Sequence, residues 1–326
     1  MEETVTTDLP LTYMTSGYVD YMQIIEDECQ KVPYGFMVLA VVCMGIALCG
    51  VVGNGTVLWF LCFQMKQNPF TVYVLNLAIA DCFLLVLFFL LLLALFSLIS
   101  VCSSMYKYLA LYEDFVYVVE FLCHFFDLSS MSLLAAISME RCISVLFPIW
   151  YRCHRPKRLS GVVSTVLWVF AGFFVSSMYL GLKFAESYET VIAGGAIAIS
   201  ITLSSIMFIS NLTLFLKLRC GSRRRHPGRL YIAVLFNVIF FFTLGIPFSI
   251  EVFLYLPSSH ELLPETTSFV LALLNSTINP VVYFLVGSCR QRRFQSSMKV
   301  AFRRVFEEKL VNENHVPGDM VVENAL

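Results

Sequence analysis

Charge is what this 326-residue chain has least of: 14% of its residues are Asp, Glu, Lys or Arg, where soluble domains carry about 25%. That shortage excludes an ordinary water-soluble globule, because 58% of the residues are hydrophobic and they come in long unbroken runs. Metal-cluster chemistry lacks its spacing. The eleven cysteines form no CxxC pair and no Cys/His cluster, and most lie inside apolar runs as packed thiols. Enzyme chemistry lacks its groups: there is no Ser/His/Asp set and no Gly-rich phosphate loop, and the histidines fall mostly near the ends of the apolar runs. The chain is therefore not expected to be an enzyme, and nothing in its net charge of −1 calls for a nucleic-acid partner. Residues 1–33 have neither a basic n-region nor an apolar h-region. No cleavable signal peptide is expected, and the first apolar run would serve as the insertion signal.

What the chain has instead is spans. An apolar stretch of 18 or more residues crosses about 30 Å of hydrocarbon as a helix, and seven such stretches occur, at about 34–62, 70–98, 111–142, 160–182, 191–217, 229–256 and 264–286. The fold class is thus an all-α membrane protein, a seven-transmembrane-helix bundle with a short amphipathic helix after the seventh span. Its organisation reads as an acidic extracellular N-terminus (1–33), the bundle (34–286), a juxtamembrane amphipathic helix (287–306) and a disordered cytoplasmic tail (307–326). In the segment after Gly287, Arg290, Arg292, Arg293, Lys299, Arg303 and Arg304 alternate with Phe294, Met298, Val300, Phe302 and Val305, the pattern of a helix lying on lipid. Of 22 Lys and Arg, only Lys31, Lys107 and Lys183 fall on the side of the N-terminus. The positive-inside rule then places the N-terminus outside and the C-terminus in the cytosol, in a multi-pass protein of the plasma membrane.

Polar residues within spans are costly and point to function. Asp81 lies mid-span in the second helix, with Asn54, Ser130, Asn275 and Asn279 at comparable depth in the first, third and seventh. One carboxylate among neutral polar groups suits either a hydrated monovalent cation, a bound Na+ near Asp81, or a purely structural hydrogen-bond network. No other cofactor is expected. The outer half of the chain is acidic: residues 1–33 hold seven acids against Lys31, and Glu120, Asp127 and Glu251 lie in the outer parts of the third and sixth spans. Glu120 and Asp127, seven residues apart, share a helical face. A cleft lined by one sign of charge concentrates ligands of the other. The expected ligand is a cationic peptide or amine, met by Glu120, Cys123, Asp127 and Glu251, with Phe121 and Tyr255 against its apolar or cationic parts.

A transporter would show repeated halves or broken helices, and no internal repeat is found. A channel would need a polar stripe, and only isolated polar residues appear. A light receptor would need a lysine in the seventh span, and none lies between Pro264 and Gly287. Against these, Gly53-Asn54, Leu77-Ala-Ile-Ala-Asp81, Glu140-Arg141-Cys142, Trp168, Pro247 and Asn279-Pro-Val-Val-Tyr283 stand in order, one signature to each of six spans. In this the chain resembles the rhodopsin-like G protein-coupled receptors. Ser138 to Pro156, through Glu140-Arg-Cys and Phe147-Pro-Ile-Trp150, is similar to the second intracellular loop of the Mas-related receptors. Leu244-Gly-Ile-Pro-Phe248 is similar to their sixth helix, with Gly245 in place of the usual tryptophan. The resemblance implies a heterotrimeric G protein as partner, through Gq or Gi. A decoy receptor that binds without signalling is the alternative, and a small membrane transporter a more distant one.

Within that resemblance Arg141 is the residue expected to meet the G protein, with the adjacent Glu140 holding it at rest. Pro247 would kink the sixth helix into a lever, and Tyr283 would line the cleft that opens. The foot of the sixth helix, Arg223-Arg-Arg-His-Pro-Gly-Arg229, offers no acid to latch the closed state. The chain also departs from the pattern: Val116 stands where most of these receptors carry a bridging cysteine, and the loop at 183–190 has none. Only Cys29 and Cys102 lie on the extracellular side, which leaves a bridge between them open. Cys289, just past the seventh span beside basic residues, is a candidate for palmitoylation.

Overall fold

The computed structural model describes residues 34–65, 67–100, 105–184, 189–220, 229–245, 265–288 and 298–306, and every element among them is helical. In chain order they are α1 (Tyr34–Phe63), α2 (Pro69–Ser100), α3 (Met105–Leu146), the short α4 (Pro148–Cys153), α5 (Leu159–Phe184) and α6 (Glu189–Cys220). Then come α7 (Arg229–Phe240), which runs on as a π-helical turn over Phe241–Gly245, α8 (Glu265–Ser288) and α9 (Met298–Phe306). Parts of α1, α2, α3, α5, α6 and α8 are long and apolar enough to cross a membrane. In the expected sixth span the apolar helix Ile232–Gly245 is described. Pro247, Glu251 and Tyr255 lie outside the described residues, as do Cys29, Cys102 and Cys289.

Helix satisfies every backbone group within each run, as it must where hydrocarbon offers no partner to a backbone N–H or C=O. Side-chain hydroxyls on outward-facing turns follow the same rule. Thr56, Ser97, Thr165, Ser177 and Thr202 each donate to the carbonyl four residues back, at 2.7–3.0 Å. At the cytosolic start of α2, Asn68 caps the helix: its Oδ1 accepts from the backbone of Phe70 and Thr71, and Thr71 Oγ1 accepts from Asn68 N–H. Pro69 sits at the first helical position, where its missing N–H costs nothing.

The centre of the bundle is α3. In its most apolar window 67% of residues are buried, against 22% for α1, α5 and α6. It packs on α2, α5, α6 and α7, while α8 closes the ring against α1, α2 and α7. Small residues permit the closest approaches. A Cβ on Gly50 of α1 would lie 2.6 Å from Thr277 Oγ1 and 2.7 Å from Leu85 Cδ1, so α1 meets α2 and α8 there with no space left.

The amphipathic segment departs from its expectation. The side chains of Ala301, Phe302, Val305 and Phe306 on α9 are buried in protein rather than turned to lipid, and Val300 is exposed. Aromatic rings at the cytosolic ends of α1, α2 and α8 provide the apolar ground. Phe302 lies 5.4 Å from Phe60, and Phe306 lies 6.2 Å from Phe70 and 5.3 Å from Tyr283, between ring centroids.

Candidate functional site

Three polar layers line the bundle from outside to inside. In the outer layer Glu120 is exposed on α3 while Asp127, two turns deeper, is buried. Cys123 is buried among apolar side chains. Phe121 stands edge-on to Tyr179 of α5, centroids 5.1 Å apart, and Tyr117 meets the same ring at 5.3 Å. The Tyr179 hydroxyl is paired with His124 Nδ1 at 2.7 Å. Neither His124 nor Tyr179 was singled out from the sequence. His124 is the exception among histidines that fall mostly near span ends: it lies mid-span on α3, and the cost of an ionisable group in hydrocarbon marks it as it marked Asp127. Together the pair fixes α3 to α5 just below the exposed Glu120.

In the middle layer the structure joins part of the expected set. Asp81 is 1% exposed, its Oδ1 accepts from Ser130 Oγ at 2.9 Å, and its Oδ2 accepts from Asn279 Nδ2 at 2.6 Å. One carboxylate thus ties α2 to α3 and α8. Asn54 stands apart from it and pins α1 to α8, donating to the carbonyls of Gly50 and Ser276, both at 3.1 Å. Asn275 borders the sixth helix. A Cβ on Gly245 would come 3.1 Å from Asn275 Nδ2 and 2.8 Å from the Phe241 ring, so the glycine that replaces the usual tryptophan is the residue this crossing admits. The π-helical turn ending at Gly245 places the Phe241 ring there. Such wide turns recur at functional bends. Trp168 donates to Asn76 Oδ1 at 3.0 Å and holds α5 on α2.

The inner layer holds the expected coupling residues, with different partners. Glu140 Oε1 accepts from Arg155 Nε at 2.6 Å and from the Tyr151 hydroxyl at 2.8 Å. Arg155 also donates to Pro156 O and Ser160 Oγ. Glu140, expected to hold Arg141 at rest, bonds to residues at and beyond α4, and the Arg141 guanidinium lies 4.0 Å from the centroid of Phe70. Consecutive residues on a helix do not face each other. Burial, and the bond to Glu140, push the Tyr151 hydroxyl up to about 12. Tyr283 is 3% exposed, and its hydroxyl accepts from Asn237 Nδ2 of α7 at 3.0 Å. That neutral bond joins the sixth helix to the seventh where an acid latch is missing. Below this layer Phe147, Ile149 and Trp150 are exposed around the start of α4, an apolar edge on the cytosolic side.

A helical bundle with a buried polar core, and with Arg141 and Tyr283 at its cytosolic end, has the architecture of a membrane receptor. Residues 53–283 match the family described as 7 transmembrane receptor (rhodopsin family). The chain is 39% identical to Mas-related G-protein coupled receptor member D of Homo sapiens, over 87% of this chain and 88% of that one. It is 36% identical to Proto-oncogene Mas of Mus musculus, over 82% and 83%, and 38% identical to Mas-related G-protein coupled receptor member X2 of Hoolock hoolock, over 81% of each. The chain belongs to the rhodopsin-like G protein-coupled receptors and, among them, to the Mas-related group. It is a multi-pass receptor of the plasma membrane, not an enzyme, and its class takes an extracellular ligand and a heterotrimeric G protein.

Proposed function

We propose that this receptor answers a cationic peptide or amphipathic amine and passes the signal to Gq or Gi. The observation that carries the ligand class is Asp127, a carboxylate buried on α3 two turns below the exposed Glu120. A cation drawn in by the acidic outer surface would meet Glu120 first and exchange its hydration for the deeper carboxylate. Glu251 and Tyr255 are expected to complete the pocket from the sixth helix, and the Phe121–Tyr179 edge would receive the ligand's apolar part. Binding that favours the open state moves the sixth helix outward, breaks the Asn237–Tyr283 bond and exposes Arg141. The fixed charge and planar donors of Arg141 suit the carbonyls at a partner helix terminus. Phe147, Ile149 and Trp150 offer the partner an apolar edge beside it.

Asp81 and Ser130 are the residues that would hold a Na+ at rest. They supply two oxygens, Asn279 presents its amide nitrogen to Asp81, and water would have to complete the shell.

The test is intracellular calcium in cells expressing the chain, with cyclic AMP read in parallel, against a panel of basic peptides and amphipathic amines. Wild type should respond to a cation. Asp127→Asn should weaken the response by about tenfold or more, the scale of a lost charge-assisted bond. Silence towards every cation, or full potency in Asp127→Asn and Glu251→Gln alike, would overturn the ligand class.

A further inference from the structure

We infer that α9 is an intramolecular plug of the G-protein cleft. It is seated against the resting bundle and must be displaced before a G protein can bind. This rests on the coupling role given above to Arg141 and Tyr283.

The apolar face of α9 carries Ala301, Phe302, Val305 and Phe306, each no more than 2% exposed. An amphipathic helix made for a lipid surface would leave that face uncovered by protein; here the bundle covers it. Phe302 packs on Phe60 of α1, and Phe306 packs on Phe70 of α2 and on Tyr283 of α8. Asn68 Nδ2 donates to the Phe306 carbonyl at 3.1 Å, which ties the end of α9 to the cap of α2. α9 also packs against α7, the helix whose foot has to move.

Two consequences follow from where Phe306 lies. It covers Tyr283, which is 3% exposed, and it shares Phe70 with the Arg141 guanidinium, so it stands one ring away from the residue that must reach the partner. A G protein entering between Arg141 and Tyr283 meets α9 first. The sixth helix has no acidic latch at its foot, and α9 supplies a restraint of another kind, an apolar clamp between α7, α8 and the ends of α1 and α2. Only the fraction of receptors with the plug withdrawn would be competent. A plug seated in about nine molecules of ten holds basal exchange about tenfold below that of the open cleft.

The test uses the full-length receptor in nanodiscs with purified Gα subunits from each class and Gβγ. Val305→Cys places a thiol in the buried face, and its alkylation by a water-soluble maleimide is followed by mass spectrometry of the peptide that carries it. Alkylation should be slow in the receptor alone and faster when a nucleotide-free G protein is bound. In parallel, Phe302→Asp and Phe306→Asp, which cannot seat in an apolar site, should raise basal nucleotide exchange about tenfold. Val300→Gln, on the exposed face, should leave exchange at the wild-type rate. Fast alkylation without G protein shows that the helix is not seated and overturns the plug while leaving the coupling role intact. Slow alkylation that stays slow while exchange is stimulated shows that the helix is not in the way, and overturns it too. If neither wild type nor the Asp variants stimulate any Gα, the coupling role itself fails and the plug falls with it.

Discussion

Replacing Asn237 by leucine isolates the neutral latch between the sixth and seventh helices. Asn237 and Tyr283 are each 3% exposed and joined by a 3.0 Å bond. Asn237 Oδ1 is buried with no hydrogen-bond partner among the described residues, so leucine also removes a buried carbonyl. The closed state loses one neutral hydrogen bond, about 1 kcal/mol, and about 2 kcal/mol if the Tyr283 hydroxyl is left stranded. The open state, in which the bond is already broken, loses nothing. The closed–open equilibrium should therefore shift roughly five- to thirtyfold towards open. Basal GTPγS binding, in membranes matched for surface receptor, should rise by that factor with little change in thermal stability. The increment should vanish in a Tyr283→Phe background, where the bond has no second partner. Unchanged basal binding, or the same rise in both backgrounds, would refute the latch.

Other consequences are open to measurement. Gly50→Val would drive its side chain into Thr277 and Leu85. It should cost about 1–3 kcal/mol, seen as a lower thermal midpoint and less receptor at the surface, whereas Gly55→Ala, with nothing within 4 Å, should not. The Tyr151 hydroxyl holds its proton up to about 12 in the folded receptor, above the ordinary tyrosine value of about 10. The folded state binds that proton more tightly, so its stabilising effect is complete below pH 10 and fades as pH rises towards 12. The thermal midpoint should fall over that interval, and less steeply in Tyr151→Phe; equal slopes would count against it. A Na+ held by Asp81 and Ser130 would stabilise the resting bundle by about 1.4 kcal/mol at ten times its dissociation constant. Wild type should then melt higher in Na+ than in K+, and Asp81→Asn should melt alike in both. Equal midpoints for wild type would leave the hydrogen-bond network as the whole role of Asp81.

Residues whose polarity conflicts with an apolar run could be picked out by sequence, because hydrocarbon makes each of them conspicuous. Asp81, Ser130, Asn279 and Asn54 are of this kind, and the same rule applied to every ionisable residue would also have found His124. Partnership is another matter. Nothing in the spacing tells that Asp81 takes Ser130 and Asn279 while Asn54 turns to the Ser276 carbonyl. Such bonds cross between helices whose rotation about their own axes depends on packing against every neighbour.

The number of long apolar runs, their orientation across the membrane and the family signatures are one-dimensional properties, and the chain alone determined them. Hydrocarbon thickness and the loop charges leave no freedom in these. Tertiary structure decided the directions of side chains. Glu140 adjoins Arg141 in the chain, yet nothing in the sequence tells that its carboxylate reaches Arg155 and Tyr151. The last helix shows the same division. Its amphipathic pattern was visible in Phe302 and Val305, but an apolar face suits lipid and protein equally. Only the placement of Phe60, Phe70 and Tyr283 at one end of the bundle decided which of them it meets.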